Sequence, residues 1–193
     1  MMTKIKIIAG TTRQSRFGLQ PAEWIHKLAL EQGVDVEFEL VDLKDLGLPL
    51  FDEPTPPAAG QPLTTEVGKK WAQIVDEADG FIFVTGEYDH TIPASLSNAL
   101  QYLYAEWQNK PVAYVGYGAA VGGARSIEHL RQVAGQLGHF DIDTHVLIPN
   151  YWSQLDEQGA WTPNESQISD GTDLVKKLVF WTNVFKDARA KLA

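Results

Sequence analysis

The sequence predicts an α/β domain in which helices cover both faces of a parallel β-sheet. Apolar, β-branched runs alternate with amphipathic segments from one end of the 193 residues to the other. One of these runs, GFIFVTG at residues 80–86, is apolar almost throughout, as expected for a strand that is buried on both faces. No long linker divides the chain, so we expect residues 1–193 to form a single domain.

Each expected strand and helix has its own pattern in the sequence. The strands are expected at residues 4–10, 34–43, 80–86, 110–118 and 140–148. Apolar residues recur at helical spacing within residues 22–29, 66–78, 93–103, 127–137 and 174–188. The last of these segments predicts an extra C-terminal helix, which follows an irregular stretch at residues 150–167.

The segment at residues 49–63, PLFDEPTPPAAGQPL, is too rich in proline to form a regular helix or strand. A loop of this length in a compact domain is often functional, as a rim, a lid or a contact with a partner. A disordered surface connection explains the same composition, and both interpretations stay open.

The composition excludes several classes of function. The net charge is −9 and the basic residues are dispersed, so we expect no nucleic-acid partner. The chain has no cysteine, which excludes disulfides, thiolate catalysis and metals bound through sulfur. No apolar run reaches the length of a transmembrane helix, and we expect a cytoplasmic protein with no membrane partner.

The first strand ends in a loop that is rich in hydroxyl groups and arginine, IIAGTTRQSRFG at residues 7–18. Thr11, Thr12 and Ser15 supply hydroxyl donors, while Arg13 and Arg16 supply charge. At the N-terminus of a helix these groups suit a small anion, and a terminal phosphate fits them best. The alternative is ordinary helix capping by Ser15 or Thr12.

The loops after the third and fourth strands should lie beside this one, because ligands collect at the carboxyl ends of parallel strands. The third strand leads into the polar turn at residues 87–90. The fourth leads into a loop with four glycines between Gly116 and Gly123, which permits close approach of a ligand to the backbone. A routine strand-to-helix turn and close helix–sheet packing are the alternative explanations.

Together the three loops resemble those of the NAD(P)H-dependent FMN reductase family, flavodoxin-like proteins that include quinone and azo-dye reductases. The resemblance covers residues 4–148 and is carried by GTTRQSRFG, GEYDHTIPASLSNALQYLYAEWQNKPVAYVGYG and GGARSIEHLR. It implies a flavodoxin-like fold with five parallel strands in the order 2-1-3-4-5 and a C-terminal extension at residues 149–193. It also implies bound FMN, NADPH or NADH as co-substrate, and a homodimer or tetramer.

The resemblance further implies which residues bind the cofactor. Those implied in the first loop, around the phosphate, are Thr11, Arg13, Ser15, Arg16 and Phe17. Those implied beside the isoalloxazine ring are Glu87, Tyr88 and Asp89 on one side and Tyr117, Gly118, Ala119, Gly122 and Gly123 on the other.

Two residues depart from the family pattern. Gly86 stands where proline is usual, and Asp89 stands where asparagine is usual. An aspartate lacks the amide donors and adds a negative charge, which near the ring would disfavour a reduced, anionic flavin. These departures bear on acceptor range and redox potential more than on flavin binding.

The implied function is hydride transfer from NAD(P)H through bound FMN to a quinone, an azo compound or free flavin. The cofactor carries this chemistry, so no catalytic acid or base is assigned. Two alternatives stay open: a flavodoxin-like electron carrier that does not react with pyridine nucleotides, and a cofactor-free relative that acts through its surface.

Two other features have mainly structural explanations. His139, Asp141, Asp143 and His145 alternate along the fifth expected strand and would share one face. Such a face can bind a divalent metal, but charges on an edge strand also prevent aggregation, and we assign no metal. Trp152 and Trp161 are candidates for a protein interface, because amphipathic aromatic residues favour such places.

Overall fold

The computed structural model describes residues 2–192, and its five strands form one sheet in the order β2-β1-β3-β4-β5. The strands are β1 (Thr3–Ala9), β2 (Val36–Asp42), β3 (Gly80–Gly86), β4 (Pro111–Gly118) and β5 (Phe140–Pro149). All four neighbouring pairs run parallel. The expected strand order is therefore confirmed, and the connections change direction between β1 and β3, where an open α/β sheet binds its ligands.

Helices cover both faces of this sheet, as expected. They are α1 (Leu19–Glu31), α2 (Leu43–Leu46), α3 (Glu66–Asp76), α4 (Ala94–Gln101), α5 (Ala124–Gln136) and α6 (Glu165–Arg189). Only the short α2, which directly follows β2, has no counterpart in the sequence prediction. Its four residues are too few to show a helical period.

The sheet separates two apolar cores. On one face α1 and α6 pack against the sheet, with Ile7, Ile25 and Leu174 fully buried. On the other face α3, α4 and α5 bury residues such as Trp71 and Phe83. Burial of this apolar surface stabilises the fold by roughly 25 cal/mol per Å².

The proline-rich segment is irregular, as expected, but it is attached to α4. The backbone N–H of Phe51 donates to Asn98, and the amide of Asn98 donates to the carbonyl of Pro49 at 2.7 Å. The Tyr102 hydroxyl donates to the same carbonyl, and the Tyr102 ring meets Phe51 edge-on. A short 3₁₀ turn at Pro57–Ala59 is the only helical turn within the segment.

The C-terminal extension returns to the first face of the sheet. A 3₁₀ turn at Tyr151–Gln154 follows β5, and α6 begins with a capping box formed by Asn164 and Gln167. Near the end of α6, Lys186 and Arg189 form ion pairs with Asp79 at the start of β3. The C-terminal end of α6 is thus attached to the residue that precedes β3.

The expectation that four charged residues share one face of the fifth strand is wrong. His139 precedes β5 and stacks against Phe83, whereas Asp141 forms an ion pair with Arg131 of α5. Asp143 instead forms an ion pair with Lys177 of α6. The strand does lie at the edge of the sheet, and residues 2–192 contain no cluster of three or more potential metal ligands of these types.

The interface expectation fails for one of the two tryptophans. Trp161 is only 8% exposed, because its ring packs edge-on against Phe17 and Trp24 within the core of the same chain. Trp152 is 54% exposed. Within residues 2–192, every helix is too short or too polar to cross a membrane.

Candidate cofactor-binding site

A cleft of about 270 Å³ lies at the carboxyl edge of the sheet, where the loops after β1, β3, β4 and β5 meet. The residues lining it are Arg13, Phe17, Glu87, Tyr88, Tyr117, Gly118, Ala119, Tyr151 and Trp152. All but the last two were among the residues implied by the sequence. The structure therefore brings parts of all three expected loops to one cleft.

The first loop presents donors that the protein itself does not use. Among the described residues, no protein acceptor receives the backbone N–H groups of residues 12–15. The side chains of Thr12 and Ser15 are exposed. The α1 N-cap is Gly18, and no side chain caps it, so the alternative of capping by Ser15 or Thr12 is wrong. These N–H groups lie in the loop that precedes the N-terminus of α1, the end of a helix at which an anion is favourable.

The two arginines of the first loop have different surroundings. Arg16 forms an ion pair with Asp42 at the end of β2, and its side chain is buried. Its Nε has no hydrogen-bond partner in the part of the chain that the structure describes. Arg13 is exposed, lines the cleft and has no ion-pair partner within residues 2–192. The positive charge that remains available to an anion is therefore that of Arg13.

Glu87 uses its carboxylate within the protein. It accepts hydrogen bonds from the backbone N–H of Arg125 at 3.2 Å and from the Arg125 side chain at 2.6 Å. The backbone N–H of Glu87 donates to the carbonyl of Tyr117. Glu87 thus joins the β3 loop to β4 and to the N-terminus of α5, where a negative charge is favourable.

The residues after Glu87 form a tight two-residue turn. Tyr88 and Thr91 exchange two backbone hydrogen bonds, at 3.0 and 2.9 Å. Asp89 and His90 between them have φ angles of 48° and 65°, the left-handed values of a type I′ turn. Aspartate tolerates this conformation as asparagine does, so the departure at Asp89 changes the charge of the turn without preventing it.

The glycines of the β4 loop serve close backbone packing. A Cβ atom on Gly123 would lie 2.5 Å from the backbone nitrogen of Tyr117, and one on Gly122 would lie 2.9 Å from that of Pro149. Both glycines also have positive φ angles. These observations support the alternative explanation of close packing, and ligand contact at the two glycines stays a prediction.

Tyr117 explains the glycine that replaces the usual proline. A Cβ atom on Gly86 would lie 2.9 Å from the phenol oxygen and ring of Tyr117, so any larger residue would displace this ring. Tyr117 is 4% exposed, and burial raises the pKa of its hydroxyl well above the ordinary value. The hydroxyl lies 3.0 Å from that of Thr11.

Sequence reasoning missed two aromatic residues of the cleft. Tyr151 stacks on Phe17 with a centroid distance of 4.2 Å and an interplanar angle of 19°. Trp152 lies beside Tyr151 and is exposed. Their signal is position: both follow the carboxyl end of β5, which faces the same edge as the other loops.

The fold and the site define a doubly wound α/β protein whose β1 loop, with backbone N–H groups that no described residue accepts, lies at the switch point of its sheet. The chain belongs to the NADPH-dependent FMN reductase family, whose model matches residues 3–153.

Individual relatives show the same affiliation. The chain is 37% identical over 153 residues to an NAD(P)H-dependent FMN reductase of Nectria sp, covering 77% of this chain and 76% of the relative. It is 33% identical over 147 residues to a 2-hydroxy-1,4-benzoquinone reductase of Burkholderia sp, covering 71% and 73%. Its fold matches that of the flavoenzyme NAD(P)H:(acceptor) oxidoreductase of Paracoccus denitrificans with a TM-score of 0.72, at 20% identity and with 95% and 98% coverage.

Proposed function

We propose that this protein is an FMN-dependent oxidoreductase that uses NADPH or NADH to reduce a small acceptor such as a quinone, an azo compound or free flavin. The observation that carries this proposal is in the first loop: within residues 2–192, the backbone N–H groups of residues 12–15 have no protein acceptor and the guanidinium of Arg13 has no ion-pair partner. Bound FMN would accept hydride from the reduced nicotinamide and pass the electrons to the acceptor.

The residues present fit FMN in two parts. The N–H groups of residues 12–15, the exposed Ser15 hydroxyl and Arg13 would hold the phosphate. Tyr88, Gly118 and Ala119 line the cleft together with Arg13, and a flat ring would lie against them. Family membership supports the same assignment. So do the two relatives described above, one an FMN reductase and the other a benzoquinone reductase.

The side chains of the cleft orient reactants rather than move protons. The Glu87 carboxylate is held by Arg125, and burial keeps the hydroxyl of Tyr117 protonated by raising its pKa. Tyr88 and Trp152 are exposed at the rim, so water reaches the cleft and can supply the proton that the acceptor takes up. Their aromatic faces suit a planar acceptor.

Turnover tests the proposal directly. Purified protein supplied with FMN should oxidise NAD(P)H in the presence of a quinone or free flavin, at a rate that depends on the bound flavin. A rate equal to that of the assay without protein, with FMN bound, would contradict the enzyme assignment.

Single-turnover measurements separate this proposal from the two alternatives. In an anaerobic stopped-flow experiment, NAD(P)H should bleach the visible absorbance of the bound flavin. An electron carrier would stay oxidised, and a cofactor-free relative would not bind FMN at all.

We further propose a cytoplasmic homodimer. Large apolar side chains are exposed on α6, where Phe180 is 60% and Val184 42% exposed, and family resemblance also supports self-association. Sedimentation velocity should give a mass twice the 21.4 kDa of one chain. A single species of that monomer mass at micromolar concentration would contradict the dimer.

A further inference from the structure

Tyr117 fills a buried slot directly beneath the phosphate-binding loop. Its phenol oxygen lies 3.0 Å from the Thr11 hydroxyl, and the two residues are 4% and 1% exposed. Two glycines leave room for the ring: a Cβ atom on Gly18 would lie 2.6 Å from the phenol oxygen, and one on Gly86 would lie 2.9 Å from it. The ring also meets Phe17 edge-on, with centroids 5.1 Å apart.

This slot lies against both ends of the loop that would bind the phosphate. Thr11 immediately precedes the N–H groups of residues 12–15, and Gly18 is the N-cap of α1. Because Tyr117 contacts both positions, its place determines how far apart the ends of the loop lie. The hydrogen bond to Thr11 spans 106 residues of sequence and links the β4 loop to the β1 loop.

Removal of the phenol oxygen would leave the buried hydroxyl of Thr11 without its partner. A buried polar group without a hydrogen bond is unfavourable, so the loop would shift to restore one. Such a shift would move the N–H groups of residues 12–15 relative to one another. The isoalloxazine end of the cleft, at Tyr88 and Gly118, would be affected less.

We infer that Tyr117 is a positioning residue for phosphate recognition: its hydroxyl holds Thr11, and with it residues 11–18, in the conformation that receives the FMN phosphate. This assigns Tyr117 to the phosphate end of the site, whereas the sequence resemblance implied a contact with the flavin ring. The inference rests on the proposed function, because it requires that the site bind FMN.

The experiment compares FMN with riboflavin, which has the same ring and ribityl chain but no phosphate. The dissociation constants of both are measured by quenching of flavin fluorescence on the apoprotein, for the wild type and for Tyr117→Phe. The variant should bind FMN about 10-fold more weakly, the effect of losing one buried hydrogen bond. Its affinity for riboflavin should stay within about two-fold of the wild type.

Tyr114→Phe is the matched control. Tyr114 lies on the same strand but faces the opposite core, and its buried hydroxyl has no hydrogen-bond partner within residues 2–192. Removal of this hydroxyl should leave both affinities unchanged. A loss of FMN binding in Tyr114→Phe equal to that in Tyr117→Phe would overturn the inference.

The remaining outcomes decide between a phosphate role and a ring role. Equal weakening of FMN and riboflavin in Tyr117→Phe would assign Tyr117 to the ring and overturn the inference, as would unchanged affinity for both. If Tyr117→Phe does not fold, Thr11→Val tests the same hydrogen bond from its other end. Thr11→Val should bind FMN more weakly while its affinity for riboflavin stays unchanged, and Thr11→Ser should retain the wild-type affinity for FMN. Equal FMN affinities of the wild type, Thr11→Val and Thr11→Ser would overturn the inference.

The proposed function can fail separately. A wild-type protein that binds neither flavin contradicts the proposed function. A wild type and a Tyr117→Phe variant that bind FMN equally tightly contradict the inference alone.

Discussion

At the residue scale, the two arginines of the first loop differ in whether the protein itself neutralises their charge. Arg16 is neutralised by Asp42 and ties the loop to the end of β2. Arg13 has no such partner in the described part of the chain and lies at the cleft. A sequence pattern cannot distinguish the two, because the aspartate that pairs with Arg16 lies 26 residues further along the chain.

Replacement of Arg13 by alanine should weaken FMN binding about 10-fold to 100-fold, since a hydrogen bond to a charged group contributes about 1.5–3 kcal/mol. Riboflavin binding should not change. Fluorescence titration measures both affinities. Lys27→Ala, which removes an equal charge from the exposed surface of α1, is the control and should retain wild-type FMN affinity. A similar loss of FMN binding in both variants would show that only the overall charge matters.

Gly86 should not tolerate even the smallest side chain. A Cβ atom there would lie 2.9 Å from the rigid ring of Tyr117, so Gly86→Ala should lower the free energy of unfolding by about 1–3 kcal/mol in urea denaturation. Gly135 in α5 is the control, because a Cβ atom there has no atom within 4 Å. Gly135→Ala should raise the stability by up to about 1 kcal/mol. Equal effects of the two substitutions would contradict the packing described for Tyr117.

At the scale of elements, the segment after β5 connects the C-terminal helix to the loop that follows β1. Trp161 packs against Phe17 of the first loop and Trp24 of α1. Nine residues earlier, Trp152 lines the open rim of the cleft. One segment therefore carries a buried tryptophan that packs beneath the cleft and an exposed one at the rim, where we propose that the acceptor binds.

Trp161→Ala should affect the stability of the protein, whereas Trp152→Ala should affect its kinetics. The first removes a buried ring and should reduce the free energy of unfolding by about 3–5 kcal/mol. The second removes an exposed ring, so stability should change by about 0.5 kcal/mol or less. Trp152→Ala should instead raise the KM for a planar quinone. Thermal unfolding and steady-state kinetics measure the two effects, and a KM unchanged by Trp152→Ala would remove the tryptophan from the acceptor site.

Local periodicity accounts for most of the elements that the sequence predicted. The strands β1, β3 and β4 and the helices α1, α3, α4 and α5 lie where apolar runs and helical spacing place them. Helix α6 begins at Glu165, nine residues before the predicted segment and inside the stretch expected to be irregular, because its capping box rather than an apolar period marks its start. The second strand is shorter than its alternating pattern, Val36–Asp42 instead of residues 34–43. The short helix α2 and the 3₁₀ turns were missed because they contain too few residues to show a period.

At the scale of the whole molecule, the contacts that shape the site join residues far apart in the chain. The hydrogen bond between Thr11 and Tyr117 and the ion pair between Glu87 and Arg125 leave no local pattern. The sequence could therefore indicate the loops of the site through their composition. It could not show which of their side chains are free for a ligand and which are used within the protein.

The stability of the whole molecule should fall in acid partly because of one buried histidine. Burial between aromatic rings, together with the nearby charge of Lys110, lowers the pKa of His139 from 6.5 to about 3. The unfolded chain therefore takes up a proton at His139 before the folded protein does. The free energy of unfolding should decrease as the pH falls from 6.5 towards 3, and this contribution is fully present above pH 6.5.

Urea unfolding of the wild type and of His139→Phe measures this effect. The difference in stability between them should be constant above pH 7 and should shift in favour of the variant as the pH falls below 6.5. Parallel pH profiles down to pH 4 would show that His139 does not contribute.

A crystal structure of the protein with FMN tests the central claim most directly. The phosphate should accept hydrogen bonds from the backbone N–H groups of residues 12–15 and from the guanidinium of Arg13, with the flavin ring near Tyr88 and Gly118. A phosphate bound at any other part of the surface, or a flavin ring outside the cleft at the carboxyl edge of the sheet, would contradict it.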